Sequence, residues 1–304
     1  MIRHFLCLSD LGSQQLLAVL DDADRFLERR NQGAGHPLRN KAVALVFDKA
    51  STRTRLSLEV AVVELGGHPV VITSATSQLG RGEPLSDTAR VLSRMVHAIA
   101  FRTADESRIK ELMQYSSVPV LNALTDQGHP MQLLADLQTV RRAKGRLQGL
   151  SYAWLGDGNN MANSWLEAAS LLQLRLRLAC PEGYDPDAQL LARARAAGAD
   201  VEVVRSPREA VAGADVVSTD VFTSMGQEAE QAARLKAFEG YMLDRKLLAL
   251  AKPDAMVLHC LPAHRGEEIE AEVLEGSHSH VWDQAEARLH TSKAILAWAL
   301  ASDE

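Results

Sequence analysis

The 304-residue sequence holds only three cysteines, Cys7, Cys180 and Cys260, odd in number and far apart. That excludes a disulfide framework and fits a reducing cytoplasm. No apolar run approaches the roughly 18 residues of a membrane span, and the opening MIRHFLCLSD lacks a secretory h-region. A cytoplasmic protein with no membrane partner is expected. An excess of positive charge is also lacking. Lys and Arg total 33 against 39 Asp and Glu, a formal net charge of −6, and the signs are mixed along the chain. That argues against a nucleic-acid partner, which requires a basic face. No G-x-x-x-x-G-K-[ST] occurs, so a Walker-type phosphate loop is excluded. Internal repeats and low-complexity stretches are absent too.

What is present is alternation. Short apolar, β-rich runs at 43–47, 69–73, 98–102, 119–123, 150–155, 174–179, 200–204, 214–219 and 255–261 are separated by helical patterns, among them 53–65, 86–97, 106–115, 130–144 and 284–301. The length suits two domains. Two successive βα series predict an α/β protein of two domains, each a mainly parallel sheet flanked by helices. The boundary falls in KGRLQGLSYAWL, giving domains at 1–145 and 146–283, with a final helix over 284–304. The segment 74–84 reads as a polar loop. The stretch from Phe222 to about Gly240 reads as a long polar lid with few apolar anchors.

In open α/β sheets, ligands sit beyond the carboxyl ends of strands. FDKASTRTR (47–55) sits at such an end. Ser51, Thr52 and Thr54 offer hydroxyls to cap the following helix, whose free N–H groups suit a phosphate, and Arg53 and Arg55 add charge-assisted donors. HPMQLLAD (129–136) brings His129 and Gln132 to another strand-to-helix turn, and Arg102 ends a third strand. Together these residues form a site rich in donors and poor in acids, suited to a small dianion. GDGNNMANS (156–164) follows a strand like a dinucleotide loop, but Met161 stands at the third glycine position, and Asn159 and Asn160 also suit a helix cap. His259, Cys260 and His264 lack a fourth metal ligand at ordinary spacing. No metal and no cofactor are expected.

In series, STRTR, HPMQLLAD, DVFTSMGQ (220–227) and HCLPAHRG (259–266) resemble the ornithine carbamoyltransferase family over essentially the full length. The first two are similar to elements shared by all carbamoyltransferases, the last two to the ornithine branch. Phe222 departs from the family, which usually has tryptophan there. The resemblance implies a carbamoyl phosphate-binding domain completed by the C-terminal helix packing back on it, and an ornithine-binding domain. It assigns Ser51, Thr52, Arg53, Thr54, Gln78, Arg102, His129, Gln132, Cys260, Leu261 and Arg288 to carbamoyl phosphate. Asn160, Asp220, Ser224 and Met225 go to ornithine, with Asp220 on the α-ammonium. Arg102, His129 and Cys260 are the catalytic candidates, Cys260 as a positioning group beside the δ-amine. It further implies citrulline and phosphate as products, and a homotrimer whose active sites are shared through Gln78. A related acceptor, putrescine or N-acetylornithine, is the nearest rival. Asp220 argues against it, because an α-ammonium partner is wasted on such an amine.

Overall fold

The computed structural model describes residues 2–30, 35–49, 51–223 and 230–301. The chain forms two compact units, Met1–Gln138 with Glu286–Glu304, and Thr139–Ala285.

In the first unit, α1 (Gly12–Glu28) buries Leu16, Val19, Leu20 and Ala23, which share one helical face. Each of the three larger side chains contributes about 2 kcal/mol on leaving water, before entropy costs. There follow β1 (Ala42–Phe47), α2 (Arg53–Glu64), β2 (His68–Thr73), α3 (Leu85–Leu92), β3 (Ala98–Arg102), α4 (Glu106–Tyr115), β4 (Val120–Leu124) and α5 (Pro130–Lys144). The strands pair in parallel in the order β2-β1-β3-β4. Ala44, Val46, Ile99, Phe101 and Val120 pack with Ile109 and Leu112 of α4 in one core. Phe5 covers the β4 edge: its N–H donates to Val120 O at 2.9 Å, and Asn122 N–H donates to Phe5 O at 2.7 Å. The expected loop 74–84 contains two short 3-10 turns, Ser74–Thr76 and Gln78–Arg81.

The second unit contains β5 (Ser151–Leu155), α6 (Asn160–Leu172), β6 (Arg175–Ala179), α7 (Ala188–Ala196), β7 (Asp200–Val204), α8 (Pro207–Val211), β8 (Val216–Thr219), α9 (Gln231–Ala237), α10 (Arg245–Leu248), β9 (Met256–His259) and α11 (Ala271–Leu274). Its sheet is also parallel, ordered β7-β6-β5-β8-β9. The last helix, α12 (Val281–Ala299), ends in the first unit. There its buried Lys293 pairs with Glu64 of α2 and lies over the Phe26 ring of α1.

The strand orders decide where ligands go. In the first sheet the chain steps from β1 outward to β2, then returns to place β3 on the other side of β1. The second sheet reverses in the same way between β5 and β8. Each reversal opens a crevice beyond the strand ends, the usual ligand position in such sheets.

Candidate active site

At the first reversal, Phe47 and Arg102 are register partners at the ends of β1 and β3. The chain leaving β1 enters α2 with Thr52 as N-cap, and among the described residues no side chain caps this terminus. The expected hydroxyl caps are therefore not formed. Ser51 Oγ and Thr54 Oγ1 instead accept from Arg102 Nη1, each at 3.1 Å. The reason is competition: a guanidinium is a stronger donor than a backbone amide. Thr52 is exposed and Arg53 half-buried. Arg55 turns away to pair with Glu59 at 3.2 Å on the exposed face of α2, so it is not among the donors expected at this turn.

α5 and α12 complete this cluster. Gln132 Nε2 donates to Asp136 Oδ1 at 2.8 Å, and its Oε1 accepts from Arg288 Nη1 at 2.5 Å. Arg288 Nη2 donates to Thr54 Oγ1 at 3.2 Å. One hydrogen-bonded chain thus runs Asp136, Gln132, Arg288, Thr54, Arg102, Ser51, and its single carboxylate lies at the far end. His129, just before α5, is buried. Burial, then the charges of Arg288 and Arg102, push its pKa well below the ordinary 6.5. At neutral pH it is a neutral imidazole that can donate one N–H. Gln78 is exposed in its 3-10 turn and takes no part in this chain of bonds.

At the second reversal, Leu155 of β5 and Thr219 of β8 are register partners, and Thr219 pairs in turn with His259 of β9. Asp220, Asn159 and Cys260 follow these strand ends. The buried Asp220 carboxylate accepts at Oδ1 from Val221 N–H (2.8 Å) and from the Cys260 thiol (3.0 Å), and at Oδ2 from Asn159 Nδ2 (3.0 Å). Asn159 also caps α6, its Oδ1 accepting from the N–H groups of Met161 and Ala162. Asn160 is the first helical residue and half-buried. Ser224 and Met225 lie outside the described residues.

Cys260 stands on a built support. His259 N–H donates to Gln284 Oε1 at 2.9 Å. Its Nδ1 accepts from Leu261 N–H at 2.9 Å, which leaves Nε2 to carry the proton and donate to the fully buried Glu268 at 3.0 Å. Leu261 adopts φ +58°, a left-handed conformation that a branched side chain rarely takes. Both His259 nitrogens are engaged, although Asp220, His259 and Cys260 present ligand-type atoms within 4.8 Å of one another. Cys180, by contrast, is buried with its thiol pushed up to about 12.

Of the expected lid, residues 224–229 lie outside the described residues, and the described residues on either side are anchored. Phe222 is buried and stacks on Phe238, ring centroids 4.6 Å apart. Arg234 of α9 is buried, donates to Phe222 O at 2.6 Å, pairs with Asp157 and lies over the Tyr184 ring. The anchors are one arginine and aromatic rings spaced too widely to give a periodic apolar signal. Gly158 is demanded by the chain's own backbone: a Cβ there would fall 2.1 Å from Pro186 N. The second glycine of GDG therefore serves packing against 185–186.

Asp136, Glu268, Gln284 and Arg234 carry no role in the sequence reading, His259 was weighed only as a metal ligand, and Asn159 only as the helix cap it proves to be. Asp136 was visible one helical turn after Gln132, at i+4. Glu268 and Gln284 lie 9 and 25 residues from His259 and gave no local signal.

Fold and clusters together define a two-domain α/β protein with a donor-rich anion site on one sheet and a carboxylate–thiol site on the other. Residues 3–142 match the aspartate/ornithine carbamoyltransferase carbamoyl-P binding domain, and residues 148–299 match the Asp/Orn binding domain. The chain belongs to the aspartate/ornithine carbamoyltransferase family. The ornithine carbamoyltransferase of Geobacter sulfurreducens is 54% identical over 299 residues, covering 98% of this chain and 99% of that one. That of Acidothermus cellulolyticus is 55% identical over 305 residues, 99% and 97% covered. Among solved structures, ornithine carbamoyltransferase from Pyrococcus furiosus superposes with a TM-score of 0.92 at 44% identity, covering 97% of this chain and 96% of that one.

Proposed function

We propose that this chain is an enzyme that transfers the carbamoyl group of carbamoyl phosphate to the δ-amine of L-ornithine, giving L-citrulline and phosphate. The observation that carries the reading is the chain of bonds in which Arg102 and Arg288 converge on the Thr54 hydroxyl. Two guanidiniums aimed at one hydroxyl repel each other unless an anion lies between them, and a phosphate dianion supplies that charge.

Ser51, Thr52, Arg53, Thr54, Gln78 and Arg102 hold the phosphate, each charge-assisted bond contributing about 1.5–3 kcal/mol. Arg102, Thr54 and the neutral His129 face the carbonyl oxygen, where charge develops as the amine attacks. Arg288 steadies the same group, and Gln132 takes the carbamoyl NH2. Leu261 and Cys260 bound the carbamoyl group from the HCLP turn. On the second unit, Asp220 pairs with the α-ammonium, and Asn160, Ser224 and Met225 hold the remaining backbone-like atoms. Cys260 positions the δ-amine. That amine has an ordinary pKa of about 10.4, and desolvation in the bound state favours its neutral, nucleophilic form. Attack at the carbamoyl carbon forms a tetrahedral intermediate, and phosphate leaves without a covalent enzyme intermediate.

The active species is a homotrimer with sites shared through Gln78. Leu56 and Val63, seven residues apart on α2, are 61% and 57% exposed in the single chain, which supports a covering partner copy. The product assigns the reaction to arginine metabolism, and the compartment is the cytoplasm. No helix among the described residues is long and apolar enough to cross a membrane. A citrulline assay with ornithine, putrescine and N-acetylornithine side by side tests the reading. Ornithine must be used best by at least about a hundredfold, because the other two leave Asp220 without its α-ammonium partner. Equal use of putrescine would overturn the acceptor assignment.

A further inference from the structure

Asp136 is fully buried on α5, with its Oδ1 accepting from Gln132 Nε2 at 2.8 Å. At the other end of the same amide, Arg288 Nη1 donates to Oε1 at 2.5 Å. We infer that Asp136 is a positioning residue: it fixes the orientation of the Gln132 amide and so sets selectivity for a carbamoyl group over an acyl group of the same shape that lacks N–H. The inference rests on the reading of the reaction given above.

An amide is nearly symmetric in shape, so packing alone does not choose between its two orientations. Here chemistry chooses. A guanidinium only donates, and Asp136 Oδ1 accepts from the Gln132 NH2 group. Held between Asp136, at i+4 on α5, and Arg288 of α12, the Gln132 amide has one orientation that forms both bonds. Turned over, it would set N–H against N–H and oxygen against oxygen. The carbonyl oxygen therefore lies at the end where Arg288 reaches Thr54, and Thr54 reaches Arg102. Arg288 occupies one of its two lone pairs. The other is an acceptor in a cluster otherwise dominated by donors.

That pattern fits carbamoyl phosphate group by group. Its phosphate and carbonyl oxygens accept from the arginines and hydroxyls, and its NH2 donates to Gln132 Oε1. Acetyl phosphate has the same shape with a methyl group in place of NH2, and it would leave the second lone pair of that oxygen without a donor. Sites built to bond a substrate N–H discriminate strongly against analogues without one.

The test compares the parent with Asp136→Leu, which keeps the size and removes the acceptor. Three quantities are read: kcat/KM for carbamoyl phosphate, and the competitive inhibition constants of inorganic phosphate and of acetyl phosphate. The expected result is a fall of about thirtyfold in kcat/KM for carbamoyl phosphate, with both inhibition constants within about twofold of the parent. In a Gln132→Ala background, Asp136→Leu should cause no further fall. With Gln132 intact, Asp136→Asn, which keeps a carbonyl acceptor, should stay within about threefold of the parent. If Asp136→Leu does not fold, Asp136→Ala carries the same comparison. An unchanged kcat/KM, an equal loss in all three quantities, or additive losses in the double variant would overturn the inference while citrulline formation by the parent still stands. A parent that forms no citrulline would overturn the inference together with the reaction it rests on.

Discussion

The Cys260 thiol donates to Asp220 Oδ1 at 3.0 Å, although the two residues lie 40 apart in sequence. They meet because β8 and β9 are neighbouring parallel strands that end together, Thr219 opposite His259. A carboxylate and a thiol thus meet in one place, and its support reaches back through Asn159 to the cap of α6.

Cys260→Ser tests what the thiol does. A hydroxyl keeps a donor toward Asp220 but is shorter and more strongly solvated. For a positioning role, kcat/KM for ornithine should fall about tenfold, with carbamoyl phosphate affinity within twofold of the parent. A nucleophile would lose turnover almost entirely. Mass spectrometry detecting a carbamoyl-enzyme in the parent would refute the positioning role.

Asp220→Asn replaces the charge and places an amide against the Asn159 amide. Without a carboxylate for the α-ammonium, kcat/KM for ornithine should fall at least about a hundredfold, since an unpaired ammonium is left facing a neutral group. Putrescine use should stay low in both proteins. Retained ornithine use by this variant would remove Asp220 from the substrate.

How much of this was legible beforehand follows from what each feature depends on. The nine strands among the described residues fall in the apolar runs named, most of them continuous because strands buried on both faces need Val, Ile, Leu and Ala, while β6 (RLRLA) and β7 (DVEVV) alternate with charged residues. α1 is not among the helical patterns named, although its buried Leu16, Val19, Leu20 and Ala23 recur at i, i+3, i+4 and i+7, the spacing of an amphipathic helix. The turns that carry Ser51, Arg102, His129, Asp220 and Cys260 were legible as strand ends bearing polar groups. The partner of each group was not. The hydroxyls of Ser51 and Thr54 turn to an arginine about 50 residues away rather than to their own helix, and Arg55 turns to Glu59. Such choices depend on the strand order, which local sequence does not state.

His129 gives the protein a pH-sensitive element. In the unfolded chain an imidazole takes up its proton near the ordinary 6.5, whereas the folded chain holds His129 neutral to well below that. Between those two points the unfolded chain binds one more proton. Stability from this group is therefore complete above about pH 6.5 and declines as pH falls below it, with a limiting slope of about 1.4 kcal/mol per pH unit. Urea denaturation of the parent and of His129→Gln between pH 7 and about 5 should show the steeper loss in the parent. Parallel curves would contradict the burial of an uncharged His129.

Arg234 anchors the segment after Phe222. Its guanidinium serves Phe222 O and Asp157 at once, and burial already pushes the Asp157 carboxyl above its usual range against the pull of that arginine. Arg234→Met keeps the stem and removes the charge, leaving Asp157 buried without this partner. A loss of about 3 kcal/mol in stability is expected, along with weaker ornithine use, since Asn159 and Asp220 are joined to the same turn. Denaturation midpoints within error of the parent would show that the clamp contributes nothing.

The shared-site trimer is tested by mixing two inactive chains. Arg53→Ala removes a phosphate contact at the β1–α2 turn, and Gln78→Ala removes the exposed side chain proposed to serve a neighbouring copy. If each site combines Arg53 of one chain with Gln78 of the next, every mixed trimer contains one undamaged site, whichever variant is in the majority. Random assembly of equal amounts makes three trimers in four mixed, so about a quarter of all sites recover, and citrulline formation should rise to about a quarter of the parent rate. Each variant alone should stay near zero under the same conditions. Mixed trimers can be verified by tagging one chain and recovering the other with it. If they form and activity does not rise, Gln78 acts within its own chain or not at all, and the sites are not shared through this turn.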